Sequence, residues 1–304
     1  MTDLNPMRSA LYVPAANARA IEKAPNLATD AIIFDLEDAV APAIKQTARE
    51  AAAKAVVENA SFGRRLSMLR VNGLDTPWGA EDLALARTLP LDAVLVPKVA
   101  KPDDIWLLDA ELAAAPARLG LWVMIETCLA IGNLQAIADC AARGRLRGLV
   151  MGTNDLAFEL RARPGRDRAG LVPYLALAVV AARSRGLAIL DGVCNDFTDL
   201  DLFRAEAEQG RALGFDGKTL IHPAQIDPCN AAFSPIPDEV AHAQNIVAAF
   251  DLPENADKSV LQVDGRMVER MHLVEAQTVL AMAAMPIIKK SGRSPKGPLR
   301  SRLA

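Results

Sequence analysis

The chain has 304 residues, 51% of them hydrophobic and 23% charged, with a formal net charge of −3. This balance excludes wholesale disorder and a general nucleic-acid-binding surface, which requires net basic charge. Residues 171–182 form the longest apolar stretch, are interrupted by Pro173, and fall short of the ~20 residues of a bilayer span.

The opening MTDLNPMR has no apolar core of a signal peptide. From residue 10 onward, short apolar runs alternate with segments of helical character. The runs occupy residues 10–13, 31–36, 67–71, 93–96, 121–125, 148–151, 187–190 and 219–221. Several are unbroken rather than alternating, as parallel strands buried on both faces should be. Helices are predicted over 42–59, with Pro42 in first position and an Ala-rich body, and over 81–89, 103–114, 134–143, 174–185 and 199–213. Gly186 and Gly214 follow the last two as C-terminal caps. Eight strand–helix units predict an α/β chain closed as a (β/α)8 barrel. An open doubly wound sheet is the alternative, but VPAANAR stands where its dinucleotide-binding form needs GxGxxG. Beyond residue 222 the prolines 223, 228, 235 and 237 mark a loop. Helices are predicted over 238–250 and 265–285, and the basic, Gly/Pro-containing stretch over 289–304 reads as a disordered tail. The expected organisation is a barrel over 1–250, a helical extension over 251–288 and that tail. Cys128, Cys140, Cys194 and Cys229 form no CxxC and no zinc spacing, so a reducing cytoplasm is expected.

Barrel chemistry sits at the C-terminal ends of the strands. There the runs end in Tyr12, in Asp35, Glu37 and Asp38, in Arg70, in Lys98, in Glu126, in Asp155, in Asp191, and in Ile221 and His222. Glu126 and Asp155 end adjacent strands, about 4.8 Å apart. Such a pair shares a proton, pairs with Arg or Lys, or holds a cation, for which Mg2+ is the natural candidate and Mn2+ the alternative. Arg70 suits an anion clamp or a partner for Asp35 or Glu37. Lys98 suits an ion pair, or the Schiff base of a metal-independent aldolase.

LYVPAANARAIEKA, IIFDLEDAVAP, LRVNGLDTPWG, LVPKV, MIET, MGTNDLA, LDGVCND and GFDGKTLIHPAQI together resemble the HpcH/HpaI aldolase–citrate lyase family, in its CoA-ester lyase branch, over residues 8–285. The resemblance implies Mg2+ on Glu126 and Asp155, with Arg70 on substrate oxygens. It implies Tyr12, Arg19, Lys23, Lys45, Ile221 and His222 near coenzyme A. Asp35, Glu37 and Asp38 are implied to shape the site around Arg70. In VDGRMVERMH, Glu269 matches a position from which related lyases reach a neighbouring subunit's site, so a homotrimer or homohexamer is implied. GTND and IHP replace the GAED- and INP-type motifs of citrate lyase β-subunits, and DGxxVExxH resembles a malyl-CoA thioesterase-like branch. The activity expected is Mg2+-dependent C–C cleavage of a malyl- or citramalyl-CoA-type thioester to acetyl-CoA and a 2-oxo acid. Thioester hydrolysis is the first alternative; a citrate lyase β-subunit and a Lys98 Schiff-base aldolase are the others. Neither nucleic acid nor membrane is an expected partner.

Overall fold

The structure, a computed structural model, describes residues 7–58 and 63–285. The predicted tail over 289–304 lies outside the described residues, as do Asn59 and residues 286–288 of the predicted extension.

The apolar runs form β1 (Ser9–Pro14), β2 (Ala31–Asp35), β3 (Leu66–Arg70), β4 (Ala93–Val96), β5 (Gly120–Ile125), β6 (Leu146–Met151), β7 (Ala188–Asp191) and β8 (Gly217–Leu220). They close in chain order into a parallel barrel, with β8 returning to β1 through Ser9–Lys218, Ala10–Thr219 and Leu11–Leu220. The expected (β/α)8 barrel is therefore what forms. β8 begins two residues earlier than the sequence suggested, because Lys218 sits inside the strand and broke the apolar run.

Between and after the strands lie α1 (Ala18–Lys23), α2 (Lys45–Glu58), α3 (Gly79–Ala86), α4 (Pro102–Glu111), α5 (Cys128–Gly132), α6 (Leu134–Asp139), α7 (Thr153–Leu160), α8 (Val172–Ser184), α9 (Leu200–Leu213) and α10 (Ile226–Ala232). Pro42 opens a short 3-10 turn that leads into α2 rather than the α-helix itself. Asp199 caps α9 by accepting from the Leu202 N–H, and Gly214 ends it at a φ of 99°.

Side chains two residues apart share a face of a strand. Ala10 and Tyr12, Ala31 and Ile33, Met68, Ala93 and Leu95, Trp122 and Met124, Val150 and Leu190 accordingly meet in one cluster that fills the barrel. Trp122 fits because residue 148 is glycine; a Cβ there would collide with its ring. Carrying the same period one step further puts Asp35, Arg70 and Glu126 above this plug, on the strand ends where barrel enzymes act.

The described residues from Phe233 onward form a second compact unit. It holds α11 (Pro237–Asp251), β9 (Val260–Val263), β10 (Arg266–Glu269) and α12 (Arg270–Ala284). Its core is Ala243, Ile246, Phe250, Val263, Val268 and Ala276. The helix predicted over 265–285 needs correction at its start. Residues 266–269 are the second strand of an antiparallel hairpin, with Val263 paired to Arg266. Asp264 and Gly265 take φ of 50° and 76°, the left-handed pair of a tight hairpin turn. The Asp-Gly signal was present in VLQVDGRMVE; the apolar spacing of the following helix masked it.

Candidate active site

A cavity of about 360 Å3 opens at the strand ends and is lined by Tyr12, Asp35, Arg70, Glu126 and Asp155, with Ile221 at its edge. Arg70 is its central cation. Its Nε and Nη2 donate to the two oxygens of Asp35, each at 2.7 Å, a fork-to-fork pair held by the β2–β3 register that sets these residues side by side. Its Nη1 lies 2.7 Å from Glu37 Oε2, and the guanidinium lies 4.7 Å from the centre of the Tyr12 ring. Burial alone would lower the Arg70 pKa; the Asp35 bond outweighs it and holds it above the ordinary value. Of the two sequence readings for Arg70, the acidic partner is realised directly, by Asp35 on Nε and Nη2 and by Glu37 on Nη1, while the residue lines the cavity.

The acids around Arg70 are not fully compensated. Burial pushes Glu37 up to about 7, against the pull of Arg70 and with the repulsion of Asp38 and Glu126. Glu37 Oε2 makes its ion pair without an aligned hydrogen bond. Glu126 is also pushed up to about 7 by burial, opposed by the Lys98 N–H and ammonium and helped by the Asp155 charge. Burial raises Tyr12 as well, so it stands as a neutral phenol.

Glu126 and Asp155 do come together. One residue grips both: the Lys98 N–H donates to Glu126 Oε1 at 2.7 Å, and Lys98 Nζ donates to Asp155 Oδ1 at 2.7 Å. The ion-pair reading of Lys98 is the one the geometry carries. Burial would lower its pKa, but the Asp155 bond raises it on balance, which keeps the amine protonated and non-nucleophilic. Gly152 makes the approach of Glu126 possible, since a Cβ there would strike the Glu126 side chain.

Among the described residues no group of three or more His, Cys, Asp or Glu is arranged for a metal. Zinc-type ligation therefore finds no donors there. Mg2+ has a different requirement: one or two carboxylates, with water and substrate oxygens completing six positions. Glu126 and Asp155 meet it: both line the cavity, and Lys98 holds one oxygen of each. A divalent cation would also relieve the burial cost that lifts Glu126. The residues present fit the ion.

The positions expected around coenzyme A fall into two groups. Arg19 and Lys23 are exposed on α1. Lys45 is not a cavity group: it is buried, and its ammonium donates to the Leu36 and Glu37 carbonyls and to Asn72 Oδ1 at 2.7–2.8 Å. Two of its donors thus hold the loop after β2, and the third ties that loop to Asn72 beyond β3. Ile221 lines the cavity, but the N–H groups of Ile221 and His222 both donate to Gln225 Oε1. The His222 ring accepts from the Ala224 N–H and stacks on Phe197 at 4.7 Å, a structural arrangement rather than that of a base. In the second unit, the Glu269 N–H donates to His272 Nδ1, and Glu269 closes β10 at the start of α12.

Sequence reasoning places Asn154 and Asn195 at the ends of the sixth and seventh strands but misses that they form a reciprocal amide pair on the cavity wall, at 2.7 and 3.2 Å. Asp191, expected at the active face, is instead fully buried between Arg168 and Lys218, each at 2.9 Å. A lysine inside a fully buried strand is the residue that marks that network.

No helix among the described residues is long and apolar enough to cross a membrane. The family model described as HpcH/HpaI aldolase/citrate lyase matches residues 8–223. A (3S)-malyl-CoA thioesterase of Cereibacter sphaeroides is 50% identical over 279 residues, covering 92% of this chain and 95% of the relative. An L-malyl-CoA/beta-methylmalyl-CoA lyase of Rhodobacter capsulatus is 31% identical over 304 residues, covering 91% and 95%. A crystal structure of CitE from Mycobacterium tuberculosis with magnesium, acetoacetate and coenzyme A superposes with a TM-score of 0.76 at 26% identity, covering 94% of this chain and 100% of that one. Among these relatives hydrolysis, the first alternative, is better supported than C–C cleavage. With its barrel, its strand-end carboxylates and these relatives taken together, the chain is an enzyme of the HpcH/HpaI aldolase/citrate lyase family.

Proposed function

We propose that this enzyme hydrolyses the thioester of a malyl-CoA-type substrate with Mg2+ bound at Glu126 and Asp155. The observation that carries this reading is the 50% identity, over 92% of the chain, to a (3S)-malyl-CoA thioesterase. The pair of carboxylates on the cavity wall supports it. Mg2+, when bound, supplies Lewis-acid polarisation to the oxygens of the acyl group. Arg70, locked on Asp35 and lining the cavity, brings a fixed positive charge to an oxygen that becomes negative. Tyr12, neutral, sets its ring against the guanidinium on the cavity wall. Arg19 and Lys23, exposed on α1, suit the phosphates of coenzyme A. Water adds to the thioester carbonyl, the C–S bond breaks, and the thiol leaves with a proton. We assign the removal of the water proton to Glu269, supplied by a neighbouring subunit of a homotrimer or homohexamer, through the extension over residues 251–288.

The test follows both possible products from malyl-CoA and Mg2+, with and without EDTA. Free thiol and malate without glyoxylate, abolished by EDTA and by Glu269→Ala, is the expected result. Unchanged thiol release from the Glu269→Ala enzyme would remove Glu269 from the mechanism. The second reading is C–C cleavage, favoured by the 31% identity to the Rhodobacter capsulatus lyase. Glyoxylate with acetyl-CoA and no free thiol would establish it in place of hydrolysis.

A further inference from the structure

β4 ends at Val96, and two residues later the chain does something uncommon. Lys98 adopts a φ of 58°, left-handed backbone that a long side chain seldom takes. This is where strain is expected to have a function. The turn lets one residue reach two carboxylates on two different strand ends. Its N–H meets Glu126, which follows the neighbouring β5. Its ammonium meets Asp155, which follows β6, one strand further on. Crossing from β4 to β6 means spanning about 10 Å of barrel wall, two strand spacings. The lysine stem, helped by the turn, covers it. Asp155 is half-exposed and lies in the first turn of α7, and the Lys98 ammonium fixes its side chain.

We propose that Lys98 is a positioning residue that sets the Glu126–Asp155 pair by two separate grips, and that its ammonium is the group a divalent cation displaces from Asp155. The main-chain grip on Glu126 persists when the cation binds. The ammonium grip on Asp155 does not, because a cation on Asp155 and the ammonium repel each other at contact distance. Lys98 thereby keeps the carboxylates from collapsing onto other partners while the site waits for its ion, and weakens the affinity for that ion. The inference rests on the assignment of Mg2+ to Glu126 and Asp155.

The experiment measures Mg2+ binding by calorimetry, together with Tm in EDTA and in saturating Mg2+, on the full chain. The variants are Lys98→Met, Lys98→Gly, Lys98→Arg, and Lys101→Met as a control for net charge, since Lys101 is an exposed lysine of the same loop. Lys98→Gly keeps the N–H and takes the left-handed turn without strain. It and Lys98→Met should bind Mg2+ about fivefold more tightly, the effect of removing a partly exposed ion pair. Both should show a larger Mg2+-induced rise in Tm than the unaltered protein. Lys98→Arg and Lys101→Met should stay near the unaltered affinity. Equal tightening by Lys101→Met would reduce the effect to net charge and overturn the proposal. Weaker binding in Lys98→Gly would overturn displacement, since the ammonium would then be helping the ion. If the unaltered protein takes up no Mg2+, or Glu126→Gln takes it up equally well, the metal assignment itself falls, and the Lys98 proposal with it.

Discussion

One barrel holds two buried charge clusters of opposite character. On the β7–β8 side, Asp191 lies between Lys218 and Arg168, and Glu206 Oε2 stands 3.2 Å from the Lys218 ammonium. Two acids meet two bases, all of them buried or nearly so, and the cluster does not face the cavity. On the β2–β6 side, among the described residues, the ion pairs of Asp35, Glu37, Asp38 and Asp155 are with Arg70 and Lys98, and Glu126 takes the Lys98 N–H. Asp35, Asp38, Arg70, Glu126 and Asp155 of that cluster line the cavity, and Glu37 and Glu126 are pushed up to about 7. Matched charge holds the barrel together. Unmatched charge at the strand ends is costly to keep, and it is the part a cation and an anionic substrate can use.

The largest effect expected from breaking this contrast comes from the matched cluster. Asp191→Leu leaves Lys218 and Arg168 buried without their common partner and should cost about 3–5 kcal/mol in chemical denaturation. A loss below 1 kcal/mol would mean that water or Glu206 compensates, and the matched cluster would not be structural. Arg70→Met comes next. It should lower kcat by about a hundredfold to a thousandfold, the usual consequence of removing a preorganised charge donor. Arg70→Lys should not restore the rate, because an ammonium cannot reproduce the fork on Asp35. Full rescue by lysine would show that only charge matters there.

The third expectation is the mildest and concerns pH. Glu126 and Glu37 bind protons more tightly in the folded protein than the ordinary carboxylate value of 4.5 allows. Between that value and about 7 the folded state therefore holds more protons than the unfolded one. Stability of the metal-free protein falls as pH rises through this window and levels off above it. The Glu126 part amounts to at most about 3–4 kcal/mol. Glu126→Gln should flatten the slope measured in EDTA, and Mg2+ should flatten it in the unaltered protein. An equally steep slope in Glu126→Gln would assign the titration to other groups.

The barrel could be read from the order of residues because its signals are local. Eight apolar runs are the length of strands, the segments between them have helical composition, and period two carries Asp35, Arg70 and Glu126 onto the inner face above the core. The shared position of Glu126 and Asp155 followed from adjacent strands. Other features were not legible, because they depend on partners distant in the chain. Lys45 looks like a surface phosphate binder until the fold brings Leu36, Glu37 and Asn72 around its ammonium. Asp191 looks like a catalytic carboxylate until Arg168 and Lys218 close on it. The helix predicted from residue 265 lost its first turn to a hairpin, because pairing with residues 260–263 gave residues 266–269 hydrogen bonds that helix spacing alone could not foresee.

The sequence by itself determined the barrel, the strand ends that carry chemistry and the identity of the acids there, since burial periodicity and side-chain type are properties of the chain. Only the tertiary structure decided which charges cancel and which remain. The left-handed turn at Lys98, the bare backbone of Gly152 beside Glu126 and the Arg70–Asp35 fork all depend on distances between segments far apart in the chain. Electrostatic energies change steeply over a few ångströms, and those ångströms exist only once the chain has folded.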